Sequence, residues 1–129
     1  MEIGTTHEVI ITVTDEVTAE KVKSGSLKVF ATPSMIALME QAAAELCQQD
    51  MPDGCTTVGT AINIEHLAAT VCGVQVRAVA ALTATDGRRY DFDVEVYDNA
   101  GLIGKGSHTR FSVKTDKFLE KAHQRAEKK

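Results

Sequence analysis

The sequence predicts an α+β fold in which one antiparallel five-stranded sheet wraps a single long central helix. Three observations carry this prediction. One apolar segment, from residue 32 to about residue 50, repeats at helical spacing. Five segments rich in β-branched residues flank it, one before and four after. The last four are joined mostly by tight turns such as Asp86-Gly87 and Asn99-Ala100-Gly101, and hairpin connections make neighbouring strands antiparallel.

Residues 7–13, HEVIITV, alternate and are β-branched, so they form the first strand. Residues 15–28 are polar and charged around Ser24-Gly25-Ser26 and read as a surface loop able to act as a lid. Thr32-Pro33-Ser34 is a helix start: a hydroxyl suited to the N-cap, then a proline whose missing N–H costs nothing in the first turn. Met35, Ile36, Leu38, Met39, Ala42, Ala43 and Leu46 follow at helical spacing. Their arc is broad, which predicts burial on more than one side. The helix should stop near Asp50, ahead of Pro52 and Gly54.

Four strands come next, over residues 58–66, 74–85, 89–97 and 103–114. The tail, residues 116–129, reads as a polar amphipathic helix or a frayed end. With no repeat or linker, residues 1–129 read as one domain. Helix and sheet are complementary layers of one core, and a sheet around one central helix is the hotdog architecture. Its free edges are usually managed by dimerisation.

Composition narrows the function. A net charge of −4 argues against a general nucleic-acid binder, which needs clustered Lys and Arg and a basic balance. Cys47, Cys55 and Cys72 are odd in number and form no C-x-x-C pair, so free thiols in a reducing cytosol are the simplest reading. No apolar run is long enough to span a membrane, and residues 1–4 lack signal-peptide character. A soluble cytoplasmic protein is expected.

Three residues invite chemistry. Glu40 has only apolar helical neighbours, Ile36, Ala37, Ala43 and Ala44, whereas Glu45 sits among glutamines. Either Glu40 snorkels to water at the helix edge, or it is a carboxylate held for a reason in a poorly solvated place. His66 ends its strand on the face of Val58, Thr60, Ile62 and Ile64, which the isoleucines mark as inward. It is either a structural histidine or a general acid–base group at a pocket rim. Thr32 is either a plain N-cap or a hydroxyl placed where helix N–H groups suit an oxyanion. Gly59 marks either a bulge or a close backbone approach to a ligand. Arg110 shares a face with His108, opposite Phe111 and Val113, and reads as exposed. Lys117, Lys121 and Arg125 form a stripe, either merely solvated or meeting phosphates. Residues 101–107, GLIGKGS, are not a phosphate loop, because the spacing is too short and no helix follows.

Several pieces arrive in a known order. Val29-Phe30-Ala31-Thr32 with Ala37-Leu38-Met39-Glu40, Val58-Gly59-Thr60-Ala61-Ile62 leading to His66 and Ala68-Ala69-Thr70, Asp86-Gly87-Arg88-Arg89, and Gly106-Ser107-His108-Thr109-Arg110 together resemble the fluoroacetyl-CoA thioesterase family. The resemblance covers residue 29 to the end of the last strand. It implies catalytic roles for Thr32, Glu40 and His66, and substrate contacts for Gly59 and Arg110. It also implies a homodimeric acyl-CoA hydrolase needing no metal or organic cofactor. One departure stands out. The family's fluoroacetyl-specific enzyme has phenylalanines in the segment before the helix, whereas residues 20–26, EKVKSGS, have no aromatic. That implies a small acyl substrate other than fluoroacetyl. The rival readings are an acyl-CoA-binding module without catalysis, and a hotdog hydratase or dehydratase.

Overall fold

Apolar periodicity switches from two residues to three or four and back to two along the chain, and the backbone switches with it. The computed structural model describes residues 1–128. It runs β1 (Thr6–Thr12), a 3-10 turn (Asp15–Val17), α1 (Ala19–Val22), α2 (Thr32–Gln48), β2 (Cys55–His66), β3 (Gln75–Thr85), β4 (Arg89–Asp98), β5 (Gly101–Lys114) and α3 (Thr115–Ala126). The five strands form one antiparallel sheet in the order β1-β3-β4-β5-β2. Buried residues of β3 (Val76, Ala78, Ala80, Leu82) and β4 (Tyr90, Phe92, Val94, Val96) face Met35, Leu38, Met39, Ala42, Ala43 and Leu46 of α2. Alanines at 78 and 80 leave room for the helix to come close. This is the expected hotdog arrangement, with β1 and β2 as its edges.

The differences from the sequence reading have local causes. Residues 15–28 are not a plain loop. Thr18 caps α1 by accepting from the Lys21 N–H (3.3 Å), and Thr18 also bridges to Phe30, so the segment is pinned at its base. Thr32 is not the N-cap of α2: Ala31 holds that place, with no side-chain cap. α2 ends at Gln48, slightly early, while β2 begins at Cys55 and β5 at Gly101, both earlier than expected. The tail is a helix with no buried residue, and Lys129 at its expected end lies outside the described residues.

The consequential difference is a bulge. Register between β2 and β5 shifts between Gly59 and Ala61, so Thr60 is an extra residue. The two-residue alternation therefore breaks there. Ile62, Ile64 and His66 keep the helix-facing side, but Thr57 and Gly59, rather than Val58 and Thr60, share it before the bulge. Their partners say the same: Gly59 opposes Arg110 and Ile62 opposes His108.

The glycines of residues 101–107 serve packing. A Cβ at Gly106 would run into the Asn63 carbonyl and the Ile64 Cα of β2, so only glycine lets the strands approach here. Gly106→Ala should destabilise the fold by about 1–3 kcal/mol, as overpacking does. A lower urea midpoint with an unchanged slope checks this, and an unchanged midpoint contradicts it.

Candidate active site

Thr32 is the first helical residue of α2, and Pro33 follows it. Because the Thr32 hydroxyl does not cap the helix, it is free to turn toward β2. There the last residue of that strand, His66, meets it: Thr32 Oγ1 and His66 Nδ1 are 2.7 Å apart. Burial pushes the His66 pKa below its ordinary 6.5, and a weaker opposing pull comes from the Ala68 backbone. The imidazole is then neutral near pH 7. Its Nδ1 accepts the Thr32 proton and its Nε2 carries the other hydrogen. That Nε2 is buried and meets no partner in good hydrogen-bond geometry among the described residues, the Ala68 carbonyl offering the ring only a weak contact. An unmet buried donor costs about 1–3 kcal/mol, so it calls for an acceptor. Beside the pair lies a cavity of about 340 Å³, walled by Ala19, Val29, Phe30, Leu67 and Ala68. Leu67 and Val71 stay exposed near its mouth.

A second polar group lies under α2, around the bulge. His108 and Arg110 were expected on a solvent-exposed face, but they are only 2% and 8% exposed. The reason is register: even-numbered positions of β5 lie on the same side as Gly59, Ile62 and Ile64, which face the helix. Arg110 Nε donates to Thr57 Oγ1 (2.9 Å) and Nη2 to the Thr57 carbonyl (2.9 Å). Arg110 Nη1 donates to His108 Nε2 (3.2 Å), and His108 Nδ1 donates to the Ala61 carbonyl (2.8 Å). These partners fix His108 as the neutral Nδ1–H tautomer. Burial pushes its pKa down, and the adjacent Arg110 charge adds to that, while the Ala61 carbonyl and Glu40 oppose it.

Glu40 belongs to this second group. A Cβ at Gly59 would lie 3.0 Å from Glu40 Oε2, 3.0 Å from His108 Cε1 and 3.2 Å from Arg110 Nη1. Gly59 is thus the gap into which the three side chains converge. Glu40 is half-buried, with no hydrogen bond or ion pair among the described residues. Eight residues of helix separate Glu40 from Thr32, about 12 Å along the axis. Within one chain the fold brings Thr32 and His66 together and Glu40, Gly59 and Arg110 together, but it does not join the two groups. His108 and Thr57 were not foreseen as parts of a site: Thr57 shares a face with Gly59 by the two-residue period, but only the bulge puts that face on the helix side with His108.

Cys47 is no nucleophile: burial pushes its thiol up to about 11, which keeps it protonated.

Residues 13–116 match the family model described as fluoroacetyl-CoA-specific thioesterase. The chain is 37% identical over 98 residues to the fluoroacetyl-CoA thioesterase of Streptantibioticus cattleyicolor, spanning 76% of this chain and 70% of that relative. It superposes on a solved structure of a fluoroacetyl-CoA thioesterase with a TM-score of 0.92 and 31% identity over 96% of each chain. A variant of that enzyme, solved in complex with acetyl-CoA, gives a TM-score of 0.91 at 30% identity over 97% of this chain and 98% of that one. A thioesterase superfamily member from Thermus thermophilus gives 0.87 at 29% identity over 97% and 92%.

Proposed function

The chain belongs to the fluoroacetyl-CoA-specific thioesterase family, and we propose that it is an acyl-CoA thioesterase cleaving a small acyl-CoA other than fluoroacetyl-CoA at Thr32 and His66. The observation that carries this reading is the 2.7 Å contact between a hydroxyl and a neutral imidazole at the rim of a small cavity. That is the geometry of an activated nucleophile.

In this mechanism His66 Nδ1 takes the Thr32 proton as Oγ1 attacks the thioester carbon, and the carbonyl electron pair becomes an oxyanion. Collapse breaks the C–S bond, and the departing thiolate takes the proton back from His66. Water then repeats the sequence against the Thr32 ester and releases the acid. The first-turn N–H groups of α2 have no side-chain cap and face the oxyanion.

Glu40 completes the site from a second copy of the chain. The outer edge of β2 has no strand beside it, and antiparallel pairing of two β2 edges covers both. The two strands then run in opposite directions. The Glu40–Gly59 group of one chain is carried toward the Thr32–His66 pair of the other. The Glu40 carboxylate then accepts the orphaned His66 Nε2–H and stabilises the imidazolium that forms during attack. Gly59 adds backbone contact to the acyl group, and Arg110 anchors the floor beneath it. A homodimer is therefore the working unit, and no metal or organic cofactor enters.

The acyl preference follows from the lid. The ring in the cavity wall is Phe30, at the base of the segment before α2; the lid itself, residues 20–26, offers Ser24 and no aromatic ring. A pocket without a ring in its lid separates fluoroacetyl from acetyl by less than ~10-fold, as apolar pockets do for small differences. Release of free coenzyme A from acetyl-, fluoroacetyl-, medium-chain and aromatic acyl-CoAs tests both points. Hydrolysis that Thr32→Ala lowers at least ~100-fold is the expected result. Thioester binding with no thiol release would replace this reading with a binding module. A strong preference for fluoroacetyl would overturn the specificity alone.

A further inference from the structure

A concentration of unpaired positive charge among the described residues of this acidic chain lies far from its own Thr32–His66 pair. Arg88 of the β3–β4 turn, Lys114 at the end of β5, and Lys117 and Lys121 of α3 line one cavity of about 390 Å³. The three lysines fall at spacings of three and four, which puts them on one side of α3 and its approach. No carboxylate lines the cavity, and none of the four cations makes an ion pair among the described residues. Phe118 also lines it and is 44% exposed, a large aromatic face left in solvent. Arg125, which continues the stripe in sequence, does not line it.

Four cations held together repel one another, so the arrangement costs stability unless an anion occupies it. An aromatic face beside a basic cavity suits a ligand with both a flat base and phosphates. We propose that this groove binds the nucleotide end of the acyl-CoA, its phosphates among Arg88, Lys114, Lys117 and Lys121 and its adenine on Phe118. The inference rests on the proposed acyl-CoA substrate and the β2-edge dimer. Cys55, which lines the groove, and His66 stand at opposite ends of β2, about 36 Å apart along the strand. In antiparallel β2 pairing the Cys55 end of one chain lies beside the His66 end of the other. The groove therefore serves the active site of the second copy.

The test compares acetyl-CoA with acetyl-pantetheine, which carries the same thioester but no nucleotide, in the full chain and in a Lys117→Ala/Lys121→Ala variant. These side chains sit on a helix with no buried residue, so the variant keeps the fold. The KM for acetyl-CoA should rise roughly 10-fold with kcat within twofold, and the rise should shrink with added salt. The KM for acetyl-pantetheine should stay within twofold. An unchanged KM for acetyl-CoA, or an equal rise for both esters, would overturn the groove. Calorimetric titration with adenosine 3′,5′-bisphosphate is independent of turnover, so it separates failure of the groove from failure of the thioesterase reading. Binding that the double variant loses supports the groove, and no binding to the native chain overturns it.

Discussion

Mixing Thr32→Ala subunits with Glu40→Gln subunits should restore about a quarter of native turnover, although each variant alone is at least about 100-fold impaired. The arithmetic follows from a two-fold dimer whose sites each take Thr32 and His66 from one chain and Glu40 from the other. Random exchange makes half the dimers mixed. In each mixed dimer one site carries both substitutions and the other carries neither. If Glu40 instead served the Thr32 of its own chain, every site in the mixture would hold one lesion and nothing would be recovered. The expectation rests on three observations within one chain. Among the described residues His66 Nε2 is buried without a well-placed partner, Glu40 makes no hydrogen bond, and about two turns of helix keep them apart. Co-refolding the two variants, with size-exclusion chromatography to confirm that both remain dimeric, gives the measurement. No recovery in exchanged dimers would rule out Glu40 acting across the interface.

Much of this arrangement was legible from residue pattern. The α2 helix and the five strands follow from periodicity, because each element buries one side and the apolar residues must recur at its own period. Glu40 and His66 stood out as polar residues in apolar settings, and Thr32 as a hydroxyl at a helix start. A bulge was one of the two readings of Gly59 and is present, with Thr60 as the extra residue, but its effect on which side chains face the helix was not legible. A bulge changes no composition, yet it flips the parity of every position before it. It thereby moved Gly59 to the helix side, while the apolar Phe111 and Val113 on the other face of β5 hid that His108 and Arg110 are buried. The N-cap reading of Thr32 failed for a related reason. Local sequence favours a hydroxyl at a helix start, but β2 ends beside it with an imidazole, and a hydrogen bond to His66 replaces the cap. In the proposed dimer the two groups of polar residues join only through a second copy, which no pattern within one chain encodes.

The other large effect concerns pH. In the proposed mechanism hydrolysis requires His66 to accept the Thr32 proton, so only the neutral imidazole is active. Burial favours that neutral form and holds the His66 pKa below 6.5. In Glu40→Gln dimers, which lack the carboxylate that favours the imidazolium, the profile of kcat/KM should therefore stay flat down through neutral pH and fall only as pH drops below 6.5, with the slope of one proton, and the native limb should lie above it. Stability changes in the same direction. His66 and His108 both have lowered pKa values in the fold, so just below pH 6.5 the unfolded chain binds more protons than the native one. Stability then falls as pH falls, and the loss is complete once pH lies below the folded-state values. The two effects separate experimentally, because urea midpoints follow both histidines whereas the kinetic limb follows His66 alone. His66→Gln keeps a polar side chain but removes the titrating base. It should cost at least ~100-fold in turnover and abolish the limb from whatever activity remains. A Glu40→Gln limb centred at or above 6.5 would mean that His66 is solvated in the working dimer, and would remove the basis for its reading as a buried base.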